Sequence, residues 1–83
     1  MVKFHFKFVT EAGVERDQEI DGLNLMTEAG EITVLAHHRP LIAVARKGKI
    51  KILNQNQAES FELKADSILE VRPDEVKILT IEP

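Results

Sequence analysis

Apolar and polar residues alternate with a period of two along almost the whole chain. Phe4, Phe6 and Phe8 share one parity and Lys3, His5 and Lys7 the other, the pattern of a half-buried strand with an aromatic inner face. Residues 10–13 (Thr-Glu-Ala-Gly) read as a turn, and 14–20 as a charged, weakly alternating edge strand. Leu23 and Leu25 flank Asn24 in a third strand; Thr27-Glu28-Ala29-Gly30 turns the chain, and Ile32 and Val34 resume the alternation. Pro40 lacks an N–H and biases Arg39 away from helical angles, so Ala36-His37-His38-Arg39-Pro40 reads as a loop. Ile42 and Val44 then open a strand, Arg46-Lys47-Gly48 makes a hairpin turn, and Ile50 and Ile52 return on one face. After the polar turn 54–57 come Phe61 and Leu63, a corner at Asp66-Ser67, Leu69 and Val71, a turn at Pro73-Asp74, and finally Val76 and Ile78. This spacing predicts an all-β sandwich or flattened barrel of about nine to ten short strands. No stretch repeats at 3.6 residues, so no helix longer than one or two turns is expected.

Composition sharpens this picture. At 83 residues, with 43% hydrophobic and 30% charged, the chain is a single small globular domain over residues 1–83. It has no cysteine, which removes a disulfide framework, a thiolate zinc site and a cysteine nucleophile together. No apolar run approaches the roughly 20 residues of a membrane helix. The N-terminal residues alternate where a signal peptide is continuously apolar, so a cytosolic setting, or the cytosolic face of a membrane, is expected.

Net charge is -3, but it is unevenly spread. Glu11, Glu15, Asp17, Glu19 and Asp21 stand against Arg16 alone, whereas 32–58 holds Arg39, Arg46, Lys47, Lys49 and Lys51 and no acid. Opposed patches can orient a small domain between partners, although solvated strand faces give the same pattern.

Enzymatic chemistry finds little support. His37 and His38 are adjacent and would point to opposite faces of a strand, so with His5 distant in sequence no metal-ligand set converges. Ser60 and Ser67 lie in no nucleophile elbow, and the glycines Gly13, Gly22, Gly30 and Gly48 are isolated rather than grouped in a phosphate loop. No catalytic residue, cofactor or metal is assigned. Arg46, Lys47, Lys49 and Lys51 suggest an alternative function, a small β domain that binds nucleic acid through a basic hairpin. Such sites stack bases on exposed aromatics, and this chain has no Trp or Tyr while its four Phe all carry core parity.

Apolar residues on the polar parity are more telling. Val9, Leu35, Leu79 and Ile81 sit where a lone sandwich places polar groups. They either curl into the core or are covered by another protein.

The stretch 25–41, Leu-Met-Thr-Glu-Ala-Gly-Glu-Ile-Thr-Val-Leu-Ala-His-His-Arg-Pro-Leu, closely resembles the epsilon subunit of F-type ATP synthases, in its N-terminal β-sandwich domain. There the same span typically reads Leu-Pro-Thr-x-x-Gly-Glu-Ile-x-Ile-Leu-Pro-Gly-His-Ala-Pro-Leu. Residues 8–13, 47–52 and 68–79 resemble that family's opening strand and turn, its Pro-Gly hairpin and its closing Phe-Leu-Glu-Val-x-Pro segment. Met26 departs from the family's proline, and Ala36-His37 from its Pro-Gly, which puts His37 at a position suited to φ > 0. Most members continue into a helical hairpin that can inhibit hydrolysis and, in some bacteria, bind ATP. With an end at Pro83, the resemblance implies either a naturally short epsilon or the N-terminal domain of a longer one, in both cases without that hairpin and without nucleotide binding.

The resemblance further implies a structural, non-catalytic rotor subunit of the central stalk, joining the gamma shaft to the membrane c-ring in proton- or sodium-driven ATP synthesis. It implies a peripheral place on the cytoplasmic face of the bacterial inner membrane, or the equivalent organelle face. Gly30 and Glu31 match the turn that faces the c-ring, and His38 matches the loop histidine, read here as bracing the loop together with Pro40. Val9, Leu35, Leu79 and Ile81 are the candidates for the gamma contact.

Overall fold

In a computed structural model, which describes residues 2–55 and 57–80, the alternating segments form nine strands: β1 (Phe4–Thr10), β2 (Gly13–Ile20), β3 (Gly22–Thr27), β4 (Gly30–Leu35), β5 (Leu41–Ala45), β6 (Gly48–Asn54), β7 (Gln57–Leu63), β8 (Ser67–Val71) and β9 (Glu75–Leu79). No helix occurs among the described residues, so the chain is all-β, as the pattern predicts. The strands pair in the order β2-β1-β9-β8-β5-β3-β6-β7, with β4 on the remaining edge of β3. All pairs are antiparallel except β1 with β9, which brings the first and last strands side by side.

This ladder folds over at β3. Gly22, Leu23 and Asn24 pair with β6, whereas Thr27 pairs with Ala45 of β5. Two further bonds hold the β5 junction: Glu28 N–H donates to the Val44 carbonyl at 3.1 Å and Arg46 N–H to the Met26 carbonyl at 2.9 Å. One arm (β2-β1-β9-β8-β5) therefore faces the other (β4-β3-β6-β7) across a single core. Phe4, Phe6, Leu69, Val71, Val76 and Ile78 enter it from the first arm, and Leu23, Leu25, Val34, Ile50, Ile52 and Leu63 from the second. Each of these large side chains contributes roughly 1.5–3 kcal/mol on burial, set against the entropy of ordering the chain.

β5 differs from its sequence reading. Leu-Ile-Ala-Val-Ala is apolar at every position and carries no parity of its own. The fold turns Ala45 into the core and Ile42 out to solvent, 74% exposed. A small inward residue suits the closed corner, where Ala45 lies directly against Thr27.

Asp21 pins the corner between β2 and β3. Its carboxylate is almost fully buried and accepts the Gln55 N–H at 2.6 Å and the Lys3 ammonium at 3.2 Å. Burial alone pushes its pKa up, but these two donors outweigh it and hold the group below the usual carboxylate range. At the far side of the ladder β2 and β7 each pair along one edge only, and no backbone pairing joins them.

Candidate functional site

The β3–β4 hairpin turns through Glu28 and Ala29, with Thr27 paired to Gly30. Gly30 has φ 120°, a region closed to most side chains, which explains the glycine there. The Thr27 hydroxyl accepts the Ala29 N–H at 3.1 Å and donates to the Gly30 carbonyl at 2.8 Å, so the tip is internally braced. Glu31 follows on the outer face, exposed and opposite Met26. Glu28 was not singled out by the sequence, yet it ties the tip to the first arm. Its carboxylate accepts the Val44 N–H at 2.8 Å, alongside its own backbone bond to Val44. A side chain that takes over a ladder bond leaves no trace in hydropathy.

His38 and Pro40 lie at the opposite end of β4, roughly 17 Å of strand away, so the fold does not bring them to Gly30 and Glu31. His37 takes the left-handed conformation (φ 63°) that its place in the Pro-Gly motif implied. Its N–H donates to the Pro73 carbonyl at 3.0 Å, tying this loop to the β8–β9 turn. His38 Nδ1 lies 2.7 Å from the Arg39 carbonyl and donates to it. Pro40 is exposed.

The apolar candidates separate into two places. Val9 and Leu79 are direct neighbours on the outer face of the first arm. Pairing extends them into a row of Val14, Val9, Leu79, Ile68 and Val44, one residue from each of the five strands. Val14, Ile68 and Leu79 are 56%, 49% and 39% exposed, and Val9 and Val44 are half-buried. At about 4.8 Å per strand the row spans about 19 Å. It ends at Glu28, whose bonds to Val44 join it to the hairpin tip. Leu35 lies instead on the outer face of the second arm, where it meets Leu53 above Gly22. Ile81 lies outside the described residues. Val14, Ile42 and Val44 were missed as outward residues, because neither the charged strand β2 nor the wholly apolar β5 shows which parity faces in; Ile68 was missed too, although the inward parity of Leu69 and Val71 in β8 could have found it.

Polar groups surround this row. His5 Nδ1 lies 2.6 Å from the Glu19 carboxylate and its Nε2 contacts Asp17, and these hydrogen bonds, that of Glu19 first, raise the imidazole pKa. Arg72 pairs with Glu70 at 2.9 Å. Lys49 and Lys51 are exposed on β6 opposite Glu62 and Ser60, whereas the four Phe side chains belong to the core or pack against it. The basic stripe therefore lacks the aromatic stacking platform that nucleic-acid binding calls for. Among the described residues no group of three or more His, Asp or Glu is placed to hold a metal ion.

Comparison with known proteins adds a family. Residues 3–82 match the family model described as ATP synthase, Delta/Epsilon chain, beta-sandwich domain. The ATP synthase epsilon chain of Priestia megaterium is 35% identical over 81 residues, covering 95% of this chain and 58% of that protein. The ATP synthase epsilon chain of Bordetella parapertussis is 42% identical over 52 residues, covering 63% of this chain and 37% of that protein. The chain thus spans little more than half the length of the first of these relatives and less of the second. Among solved structures, a chain of the Euglena gracilis mitochondrial ATP synthase superposes with a TM-score of 0.87 over 99% of this chain and 52% of its own length, at 15% identity. A chain of the Tetrahymena thermophila mitochondrial ATP synthase central stalk and c-ring superposes with a TM-score of 0.74 over 98% of this chain and 65% of its own, also at 15% identity. At that identity these likenesses speak to the fold.

Proposed function

We propose, from the premise that this chain belongs to the delta/epsilon β-sandwich family of ATP synthase subunits, that it acts as a non-catalytic rotor subunit joining the gamma shaft to the c-ring. The observation that carries this reading is continuity. The apolar row across the first arm runs into the hairpin tip that bears Gly30 and Glu31, through the bonds between Val44 and Glu28. A subunit placed between two partners needs two contact surfaces on one stiff body. Gamma would cover Val9, Leu79, Ile68 and Val44, with Ile42 beside them. Glu31 would meet a basic residue of the polar c-ring loops. A specific contact of this kind buries on the order of 1,000 Å² or more in total, with apolar residues at its centre and charges at its rim. The chain would then sit peripherally on the cytoplasmic face of the bacterial inner membrane, or the equivalent organelle face; among the described residues no helix is long and apolar enough to cross a membrane.

Co-purification with gamma tests the first surface. Leu79→Glu places a charge at the centre of the row and is expected to abolish binding while the domain stays folded, because an unpaired buried charge is costly. Leu35→Glu, on the other arm, is expected to leave gamma binding intact. Equal behaviour of the two variants would reject this face as the gamma contact. For the second surface, Glu31→Lys replaces attraction by repulsion and should weaken assembly with the c-ring at low salt; wild-type assembly of this variant would count against the tip.

A further inference from the structure

The ladder stays open along one side, and a notch of about 1060 Å³ lies there between β2 and β7. That is slightly above the roughly 300–1,000 Å³ typical of small-molecule sites. Its floor is aromatic: the Phe8 and Phe61 rings are 5.0 Å apart, and the Arg16 guanidinium lies 4.6 Å above the Phe61 ring centre. Side chains alone bridge the two strands, through this stacking and through Gln18, which donates to Glu59 at 3.0 Å. The β1–β2 register shifts between Phe8 and Val9, leaving Glu15 as an extra residue in β2. A bulge of this kind bends an edge strand and turns it from its neighbours, and this one lies in the wall of the notch.

The rims are acidic. Glu11 and Glu15 stand on the β2 side and Glu62 on the β7 side, and among the described residues none of the three has an ion-pair partner within 4.0 Å. Of the two lining cations, Arg16 is turned inward over Phe61, which leaves Lys64.

We propose that this notch receives an extended strand of a partner protein, with apolar and cationic residues in alternation, added along the free edge of β2. Each part of the notch meets one part of such a strand. The unpaired β2 backbone supplies ladder hydrogen bonds. Residues of one parity reach the Phe8 and Phe61 floor, and Lys or Arg of the other parity stands across from Glu11, Glu15 and Glu62, of which Glu15 already accepts the Thr10 hydroxyl at 3.3 Å. A compact ligand would use the floor but not the strand edge, and an acidic strand would meet repulsion on both rims. This surface lies apart from the hairpin tip, so loss of c-ring assembly leaves the proposal intact, and loss of notch binding leaves the rotor assignment intact.

The test is fluorescence anisotropy of labelled octapeptides titrated with the 83-residue chain. The probes are alternating Lys-Val, the block isomer with four Lys followed by four Val, and alternating Glu-Val. The expected result is saturable binding of alternating Lys-Val, with affinity at least tenfold weaker for the other two. The double variant Glu15→Lys/Glu62→Lys, one exchange on each rim, is expected to lose at least tenfold in affinity for the alternating Lys-Val probe. Hydrogen exchange at the β2 amides should slow when that peptide is bound. Absence of binding, equal binding of the block isomer, or wild-type affinity in the double variant would each overturn the proposal. Should the double variant fail to fold, the comparison of alternating and block peptides on the parent chain decides alone.

Discussion

Phe6 offers the most direct measure of how the two arms hold each other. Its side chain is 0% exposed, its backbone position is paired with Gln18 on one side and Val76 on the other, and its ring lies 6.3 Å from that of Phe61 on the opposing arm. Phe6→Ala removes the ring from a site walled by paired strands on both flanks, so little collapse can refill it. The cost expected for such a cavity is about 3–5 kcal/mol. A chain of this length has a total stability of about 4–12 kcal/mol, so one substitution removes a large share of it. At about 4–8 °C per kcal/mol, the melting temperature should fall by at least about 12 °C. Phe8 is the internal control. It is half-buried at the notch, where its ring already borders open space, so Phe8→Ala should cost less than half as much. Thermal and urea unfolding followed by circular dichroism measure both. A Phe6→Ala melting point within about 3 °C of the parent, or equal losses for the two variants, would refute the account of a core shared by both arms.

Gly22 tests close packing on the outer face of the second arm. A Cβ there would meet the Leu35 Cδ2 and Leu53 Cδ1 atoms at 3.0 Å, and both are ends of flexible side chains. Gly22→Ala should therefore melt close to the parent, Gly22→Val should lose about 1–3 kcal/mol, and Leu35→Ala added to Gly22→Val should recover at least half of that loss. pH tests the two titrating clusters. The raised pKa of His5 means that its pairing with Glu19 and Asp17 stabilises fully below the ordinary histidine value near 6.5 and is lost as pH rises through the folded value. His5→Gln should flatten the stability profile above about pH 6.5, and an unchanged profile would dismiss the pairing. The lowered pKa of Asp21 works on the acid side: its contribution is complete above the ordinary carboxylate value near 3.9 and is lost as pH falls through the folded value, so Asp21→Asn should flatten the profile at low pH.

The parts of this fold visible in the sequence are those where one parity is apolar and the other charged. Phe4, Phe6, Leu23, Leu25, Ile50, Ile52, Leu69, Val71, Val76 and Ile78 each have a polar residue on at least one side, and all are in the core. Turns were legible where glycine meets a need for positive φ, as at Gly13, Gly30 and Gly48. What escaped has a physical reason in each case. β5 is apolar throughout, and only the corner at Thr27 decides which of its sides faces inward. Leu35 and Leu79 look equivalent as off-parity residues, but strand order, which pattern does not encode, puts them on different arms. Glu28 reads as a turn residue, and its work is done by a carboxylate standing in for a backbone carbonyl.

That carboxylate bears on how the domain would carry load in a rotor. The junction between β3 and β5 rests on a short run of bonds: the Thr27 and Ala45 pairing, Glu28 with Val44 in both directions, and Arg46 with Met26. Each hydrogen bond adds only about 0.5–1.5 kcal/mol net, so this junction alone would be a weak hinge. β3 is nevertheless continuous through it. Its first half is locked into the second arm by β6 and its whole length by β4. A tangential push on the tip at Gly30 therefore cannot open the junction without also shearing the β3–β4 and β3–β6 ladders and exposing Leu23, Leu25 and Val34 from the core. Stiffness at the tip thus comes from one strand shared between both arms. The open seam at β2 and β7 lies at the far end of the ladder, where the two arms part without weakening the path from tip to apolar row.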